Sequence, residues 1–163
     1  MSEAVLGIDV AKQRIEVALL IDSKVKNKSF QNTTEGFEAL ALWLKKLGIS
    51  KVTACLEATG NYGEELAFYL HEAGHSVSMV NPARIKGFAQ SELIRTKTDK
   101  VDAGIIARFC LVMKPETWVP PSPEIRVLRA LVRRADSLID MLTQEKNRLA
   151  TAHESVIPLI KKH

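Results

Sequence analysis

The sequence predicts an α/β fold, in which helices flank a mixed β-sheet and one long helix follows. Two observations support this prediction. Three short apolar or alternating segments come first, with gaps between them that are too short for a helix, as in antiparallel hairpins. Helical and strand-like segments then alternate, which is typical of crossover connections. With 163 residues, 46% of them hydrophobic, the chain is long enough to bury a core without disulfides.

Each predicted element follows from its own residue pattern. Apolar, β-branched or alternating residues predict strands at 4–10, 14–21, 24–30, 51–58 and 76–82. Apolar residues at helical spacing predict helices over 35–48, 61–75, 83–95 and 99–114. The segment from Asn32 to Glu35 resembles a helix N-cap, and Gly48 ends the helix that follows it.

The end of the chain has a different composition. Four prolines between residues 115 and 124 predict a linker. Beyond it, as far as Ile157, neither Pro nor Gly occurs, and apolar residues recur on alternating steps of three and four: Ile125, Leu128, Val132, Ala135, Ile139, Leu142 and Leu149. This heptad pattern predicts a coiled-coil-like helix that self-associates or forms a helical hairpin. Packing against the rest of the chain is the alternative.

Charge is unevenly distributed along the chain. Residues 1–81 carry eight Lys or Arg against ten Asp or Glu, whereas residues 82–114 carry seven against three. The basic middle favours a polyanionic partner on one surface. Ordinary solvated lysines are the alternative.

Cysteine usage and hydropathy indicate the compartment. Cys55 and Cys110 both lie in apolar segments, as buried thiols of a reducing compartment do, and a disulfide is the less favoured alternative. No apolar run approaches the roughly 20 residues that cross a membrane, and the N-terminus does not resemble a signal peptide. We therefore expect a cytoplasmic protein without a membrane partner.

Four carboxylates form the candidate site. Asp9 and Glu57 end two apolar strands, and Asp99 and Asp102 lie three residues apart, on one face of a predicted helix. Solvation at a strand end, or capping with Thr98 as the N-cap, is the structural alternative. Four converging carboxylates repel one another unless divalent cations hold them, and carboxylates suit Mg²⁺ or Mn²⁺. Two such ions can activate a nucleophile at a phosphodiester.

Basic residues surround these acids in the sequence. Cations beside a metal cluster suit contacts with a phosphate backbone, and local charge balance is the alternative role. The candidate nucleic-acid-binding residues are Lys12, Arg84, Lys86, Arg95, Lys97 and Lys100.

The element order is shared by ribonuclease-H-like nucleases and actin-like ATPases, and four motifs favour the former. The segments "GIDVAK", "EATGNYG", "NPARIKGFA" and "RTKTDKVDAGIIARF" resemble the DEDD-type transposases of bacterial insertion sequences. That family includes pilin-gene invertases and bridge-RNA-guided recombinases. The resemblance covers essentially the whole chain. An actin-like ATPase would need a second Asp-Gly-rich phosphate loop, and this sequence does not contain one.

The resemblance implies a RuvC-like, ribonuclease-H-like domain over 1–114, a linker over 115–123 and a coiled-coil-like region over 124–163. It implies that Asp9, Glu57, Asp99 and Asp102 are the catalytic acids and hold Mg²⁺ or Mn²⁺. It also implies metal-dependent DNA strand cleavage and transfer in transposition or site-specific recombination. The expected partners are DNA, a structured guide RNA in the RNA-guided branch, and further copies of the chain in a homodimer or higher oligomer through the 124–157 helix.

One feature of the family is expected to be missing. Its members continue into a C-terminal transposase domain that carries a nucleophilic serine, and no serine here corresponds to it. We therefore expect the chain to depend on such a domain for complete recombination. The alternative function is a non-catalytic nucleic-acid-binding and dimerisation module. The expected location is the bacterial cytoplasm, at the nucleoid when DNA is bound.

Overall fold

The computed structural model describes residues 3–58, 60–93 and 102–151. The strands are β1 (Val5–Val10), β2 (Arg14–Ile21), β3 (Lys24–Gln31), β4 (Thr53–Glu57) and β5 (Ser76–Val80). The helices are α1 (Thr34–Lys46), α2 (Glu64–Glu72), α3 (Pro82–Leu93), α4 (Ala103–Met113) and α5 (Pro123–Thr151). No helix in these ranges is long and apolar enough to cross a membrane.

The five strands form one mixed sheet in the order β3-β2-β1-β4-β5. The first three strands pair antiparallel because their connections are hairpins, and Asp22 and Ser23 take the positive φ values, 51° and 67°, of a tight two-residue turn. Strand β4 pairs parallel with both β1 and β5, because α1 and α2 provide the crossovers. The predicted ribonuclease-H-like fold class is confirmed.

Buried side chains cover both faces of the sheet. One face packs against α1 and α2 and includes Leu6, Ile8 and Leu56. The opposite face packs against α3 and α4, and it contains both cysteines. Cys55 and Cys110 are free and buried. Their contact raises the pKa of the Cys55 thiol, because the two side chains hydrogen-bond and burial disfavours the thiolate.

Helix α4 lies directly on β1, and Gly7 makes this possible. A Cβ added at Gly7 would lie 2.2 Å from the Ala103 carbonyl oxygen and 2.3 Å from the Ala107 nitrogen. Both atoms belong to the helix backbone, so no side-chain rotation relieves the overlap. The absent side chain therefore determines how closely the N-terminal turn of α4 approaches the sheet.

The chain divides into two compact units, Met1–Pro120 and Pro121–His163. The second unit contains α5, which has no buried residue. The stripe residues Ile125, Leu128, Val132, Ala135, Ile139 and Leu142 are exposed, from 42% at Ile125 to 59% at Ile139, whereas Leu149 is half-buried. The helix itself is confirmed, and residues 152–157 of the predicted helix lie outside the described residues. The function of each segment stays a prediction.

Candidate active site

Two of the predicted acids lie side by side at the carboxyl edge of the sheet. Strands β1 and β4 are parallel neighbours, and Ile8 pairs with Leu56. The next position on each strand is Asp9 and Glu57, so the same register places these two residues next to each other. Because side chains alternate along a strand and Ile8 faces α1 and α2, both carboxylates lie on the α4 face. Both are half-buried.

The electrostatics of this pair favour a cation. Burial raises the pKa of Glu57 above its ordinary value, and the negative charge of Asp9 raises it further. Both causes disfavour the second negative charge at this edge. A divalent cation between the carboxylates would reverse the effect, because it stabilises both charges.

The third predicted acid, Asp102, begins α4. Its backbone is extended, with φ −118° and ψ 177°, and its side chain accepts a hydrogen bond from the Ile105 nitrogen. The Oδ1···N distance is 2.9 Å. Helix α4 packs on Gly7, and Asp9 is one strand repeat further along the same face of β1. The carboxylate of Asp102 is thus held at the end of α4 that lies over β1.

This arrangement corrects the predicted helix boundary. The sequence placed Asp102 inside a helix that starts at Asp99, with Thr98 as the cap. The structure starts α4 at Ala103, because Asp102 is itself the N-cap. Asp99 lies outside the described residues, so its predicted alignment with Asp102 is not described either.

The donor set suits Mg²⁺ or Mn²⁺, because it consists of carboxylate oxygens. Among residues 3–58, 60–93 and 102–151, however, no three His, Cys, Asp or Glu side chains are close enough to hold one ion. The structure pairs Asp9 with Glu57, and it holds Asp102 at the N-terminus of α4. A metal ion at this edge would be held by Asp9 and Glu57, and Asp102 would join them only if it lay closer to the pair.

The predicted nucleic-acid-binding residues fall into two groups. Lys12 is exposed in the turn between β1 and β2, at the same sheet edge as Asp9, and Lys86 is exposed on α3. Arg84 is also exposed, and its guanidinium carbon lies 5.5 Å from the centroid of the Phe109 ring, which orients the cation. The remaining three, Arg95, Lys97 and Lys100, lie outside the described residues.

Asn32, which the sequence predicts only as part of a helix N-cap, connects the loop after β1 with the loop after β4. The Asn32 side-chain nitrogen donates to the carbonyl oxygen of Ala11 at 2.9 Å and to that of Tyr62 at 3.0 Å. Ala11 follows β1 and Tyr62 lies in the β4–α2 connection, so Asn32 joins the segments that follow Asp9 and Glu57. The cap of α1 is instead Thr33, whose Oγ1 accepts from the Gly36 nitrogen. No local pattern indicated the bridge, since its two acceptors are distant in sequence.

The sheet order and the carboxylate pair at its edge define a ribonuclease-H-like domain. The profile of a family described as Transposase, that of the IS110-type DEDD transposases, matches residues 6–158. The chain belongs to this DEDD transposase family.

The chain is also similar to two curated proteins and to a solved structure. The chain is 36% identical over 150 residues to the pilin gene-inverting protein of Moraxella bovis, and equally to that of Moraxella lacunata. In both cases the match covers 91% of this chain and 47% of the relative, so the chain spans about half the length of these relatives. A solved structure of T. thermophilus RuvC in complex with Holliday junction substrate is similar, with a TM-score of 0.49 and 11% identity, over 71% of this chain and 99% of that one.

Proposed function

We propose that this chain provides the metal-dependent DNA strand-cleavage and strand-transfer domain of an insertion-sequence transposase or site-specific recombinase. The observation that supports it most is the pairing of Asp9 with Glu57 on adjacent parallel strands of a DEDD-family domain. Two neighbouring carboxylates on adjacent strands repel each other and destabilise the fold. A divalent cation bound between them would stabilise both charges.

In the proposed mechanism, the strand acids and the acids that precede α4 would present their carboxylates from different elements of the fold. Asp9 and Glu57 present carboxylate oxygens from strands that cannot move independently, because β1 and β4 share a hydrogen-bond ladder. Asp102 is held by its hydrogen bond to the Ile105 nitrogen, and Asp99 precedes it in the chain. A divalent cation held by these acids would supply activation of the attacking oxygen and stabilisation of the leaving oxygen of a phosphodiester. The flanking phosphates would be held by the candidate basic residues, which are Lys12, Arg84, Lys86, Arg95, Lys97 and Lys100.

Metal removal tests this proposal directly. With the intact protein and DNA carrying an insertion-sequence end, we expect strand cleavage in Mg²⁺ or Mn²⁺, none in excess EDTA, and full recovery when the metal is restored. Manganese binding without DNA, measured by calorimetry, should weaken at least tenfold in Glu57→Gln and remain in Glu16→Gln, which alters an exposed carboxylate on β2. Undiminished cleavage in EDTA would overturn the metal-dependent mechanism.

The second part of the proposal concerns self-association. The apolar stripe of α5 is exposed from Ile125 to Leu142, and burying one such side chain contributes about 1.5–3 kcal/mol. Its heptad spacing fits the same helix of a second copy. We propose a homodimer, or a higher oligomer built from such pairs, through α5. DNA is the proposed substrate and a structured guide RNA a further partner. The proposed location is the bacterial cytoplasm, at the nucleoid when DNA is bound.

A charge placed in the stripe should separate the copies. Leu128→Asp combined with Leu142→Asp should convert the assembly to monomers in sedimentation equilibrium, because each carboxylate would be buried without a partner. The matched control is Ser137→Asp with Gln144→Asp, which adds the same charge on the opposite side of α5. If the stripe variant and the control keep the same assembly mass, α5 is not the interface.

A further inference from the structure

A row of lysines on the edge strand of the sheet has no role in the site described above. Lys24, Lys26 and Lys28 alternate along β3, so they point to the same face. All three are exposed. We call them the lysine strip. They are three of the eight Lys and Arg residues in the first 81 positions, a part of the chain in which acids outnumber bases.

The register of the sheet shows which face carries the lysine strip. Lys26 pairs with Leu19 and Lys28 with Val17, and both partners belong to the core beneath α1 and α2. The strip therefore lies on the opposite face of the sheet from Asp9 and Glu57. A molecule that contacts the strip does so away from the carboxylate pair.

Few opposing charges accompany the strip. Strand β3 contains no acid, and the residues that pair with the three lysines on β2 are apolar. Within the described part of the chain, no ion pair is formed by any of these lysines. The nearest acids in sequence are Asp22, in the preceding turn, and Glu35, at the start of α1. The positive charge of the strip is thus available to a partner.

Neighbouring side chains extend and orient this surface. The Lys28 Nζ lies 5.5 Å from the centroid of the Phe30 ring, and the Phe30 and Trp43 rings are 5.9 Å apart. Lys46 is exposed and lies one turn beyond Trp43 on the same side of α1. Successive lysines of the strip are about 6.6 Å apart along the strand, so they form a regular line of charge.

We propose that the lysine strip binds the phosphate backbone of duplex DNA at a distance from the phosphodiester that is cut. This rests on the proposed function, which makes DNA the substrate. A regular line of exposed cations is complementary to the regular line of phosphates, and such contacts contribute affinity without reading sequence. Lysines on an edge strand also block pairing between sheets, and that protective role is the competing explanation.

Salt dependence separates the two explanations. In the variant Lys24→Gln, Lys26→Gln, Lys28→Gln, each lost phosphate contact should reduce the slope of log affinity against log salt by about 0.9. We expect duplex affinity to fall roughly 10- to 100-fold at moderate salt. The matched control, Lys45→Gln, Lys51→Gln, Lys114→Gln, removes the same charge from exposed positions outside the strip and should retain most of the wild-type slope. Equal slopes for the two variants would overturn the proposal.

A charge-reversal variant adds a second test. Lys24→Glu, Lys26→Glu, Lys28→Glu keeps a charged edge strand, so protection against aggregation persists, whereas DNA binding should be lost. Wild-type affinity in this variant would establish the protective role alone. A loss confined to structured RNA, with duplex DNA binding intact, would also overturn the proposal.

The role of the lysine strip and that of the carboxylate pair can be tested by separate measurements. The glutamine variant should weaken DNA binding but leave the single-turnover cleavage rate at saturating DNA unchanged. A reduced rate at saturation would show that the strip acts in cleavage and overturn its placement away from the cut. Absence of duplex binding by the wild-type protein would overturn DNA as the substrate, and the strip assignment with it.

Discussion

Asp9→Asn should abolish metal-dependent strand cleavage and at the same time make the fold slightly more stable. The substitution keeps the size of the side chain and removes one of two adjacent carboxylates. Metal stabilisation of the reacting oxygens contributes several kcal/mol, and each 1.36 kcal/mol is a factor of ten in rate, so we expect a loss of about a thousandfold or more. Single-turnover cleavage in Mg²⁺ measures it.

The gain in stability has an electrostatic cause. The charge of Asp9 contributes to the raised pKa of Glu57, so the wild-type pair repels when both are ionised. Like charges in facing strand positions cost about 0.2–1 kcal/mol, and Asn removes that cost. Urea unfolding of the metal-free protein should show the difference.

The same repulsion sets a pH dependence. A carboxyl whose pKa is raised in the folded state contributes stability at low pH and loses it as pH rises through the folded pKa. The wild-type protein should therefore lose stability relative to Asp9→Asn as pH rises above the ordinary glutamate pKa of about 4.3. Part of the loss persists in the variant, since burial is the larger cause of the raised pKa of Glu57.

Glu16→Gln is the matched control for Asp9→Asn. Glu16 pairs directly with Asp9 across β1 and β2, but it is exposed, and its carboxylate accepts a hydrogen bond from Ser29. If loss of local negative charge were sufficient to stop cleavage, both variants would be inactive. Cleavage by Asp9→Asn within tenfold of wild type would remove Asp9 from the catalytic site.

Gly7→Ala should strongly destabilise the first unit. The added methyl would lie 2.2 Å from the Ala103 carbonyl oxygen, and the obstructing atom is backbone. Either α4 moves away from β1 or the strand shifts, and overpacking of this kind costs about 1–3 kcal/mol, occasionally more. We expect a fall in melting temperature of roughly 10 °C, with about 1 kcal/mol corresponding to several degrees in a domain of this size.

Gly87→Ala provides a control with the opposite sign. Gly87 lies within α3, and a Cβ added there meets nothing within 4 Å. Alanine in a helix interior is about 0.5–1 kcal/mol more favourable than glycine, so this variant should gain stability. Calorimetry of the two variants measures both effects. A melting temperature for Gly7→Ala equal to or above that of wild type would show that α4 does not depend on this close approach.

Much of the fold follows from local sequence patterns. Alternation and apolar runs located all five strands, because a strand exposes its side chains on two faces with period two. The same patterns placed Asp9 and Glu57 at the ends of two apolar strands, which the structure shows to be neighbours, and the motifs identified the family. The predicted start of α4, at Asp99 with Thr98 as the cap, was wrong. Acidic and hydroxyl side chains are all favourable near a helix N-terminus, and only the extended backbone of Asp102 shows that this residue is the cap.

The sequence by itself determined the strands, the family and the two strand carboxylates, since these depend on residues close together in the chain. Only the tertiary structure decided that Asn32 bridges Ala11 and Tyr62, that Gly7 admits α4, and that the lysine strip faces away from the carboxylates. Each of these depends on strand register or on contacts between distant segments. Packing of the whole core selects that register, and no local pattern encodes it.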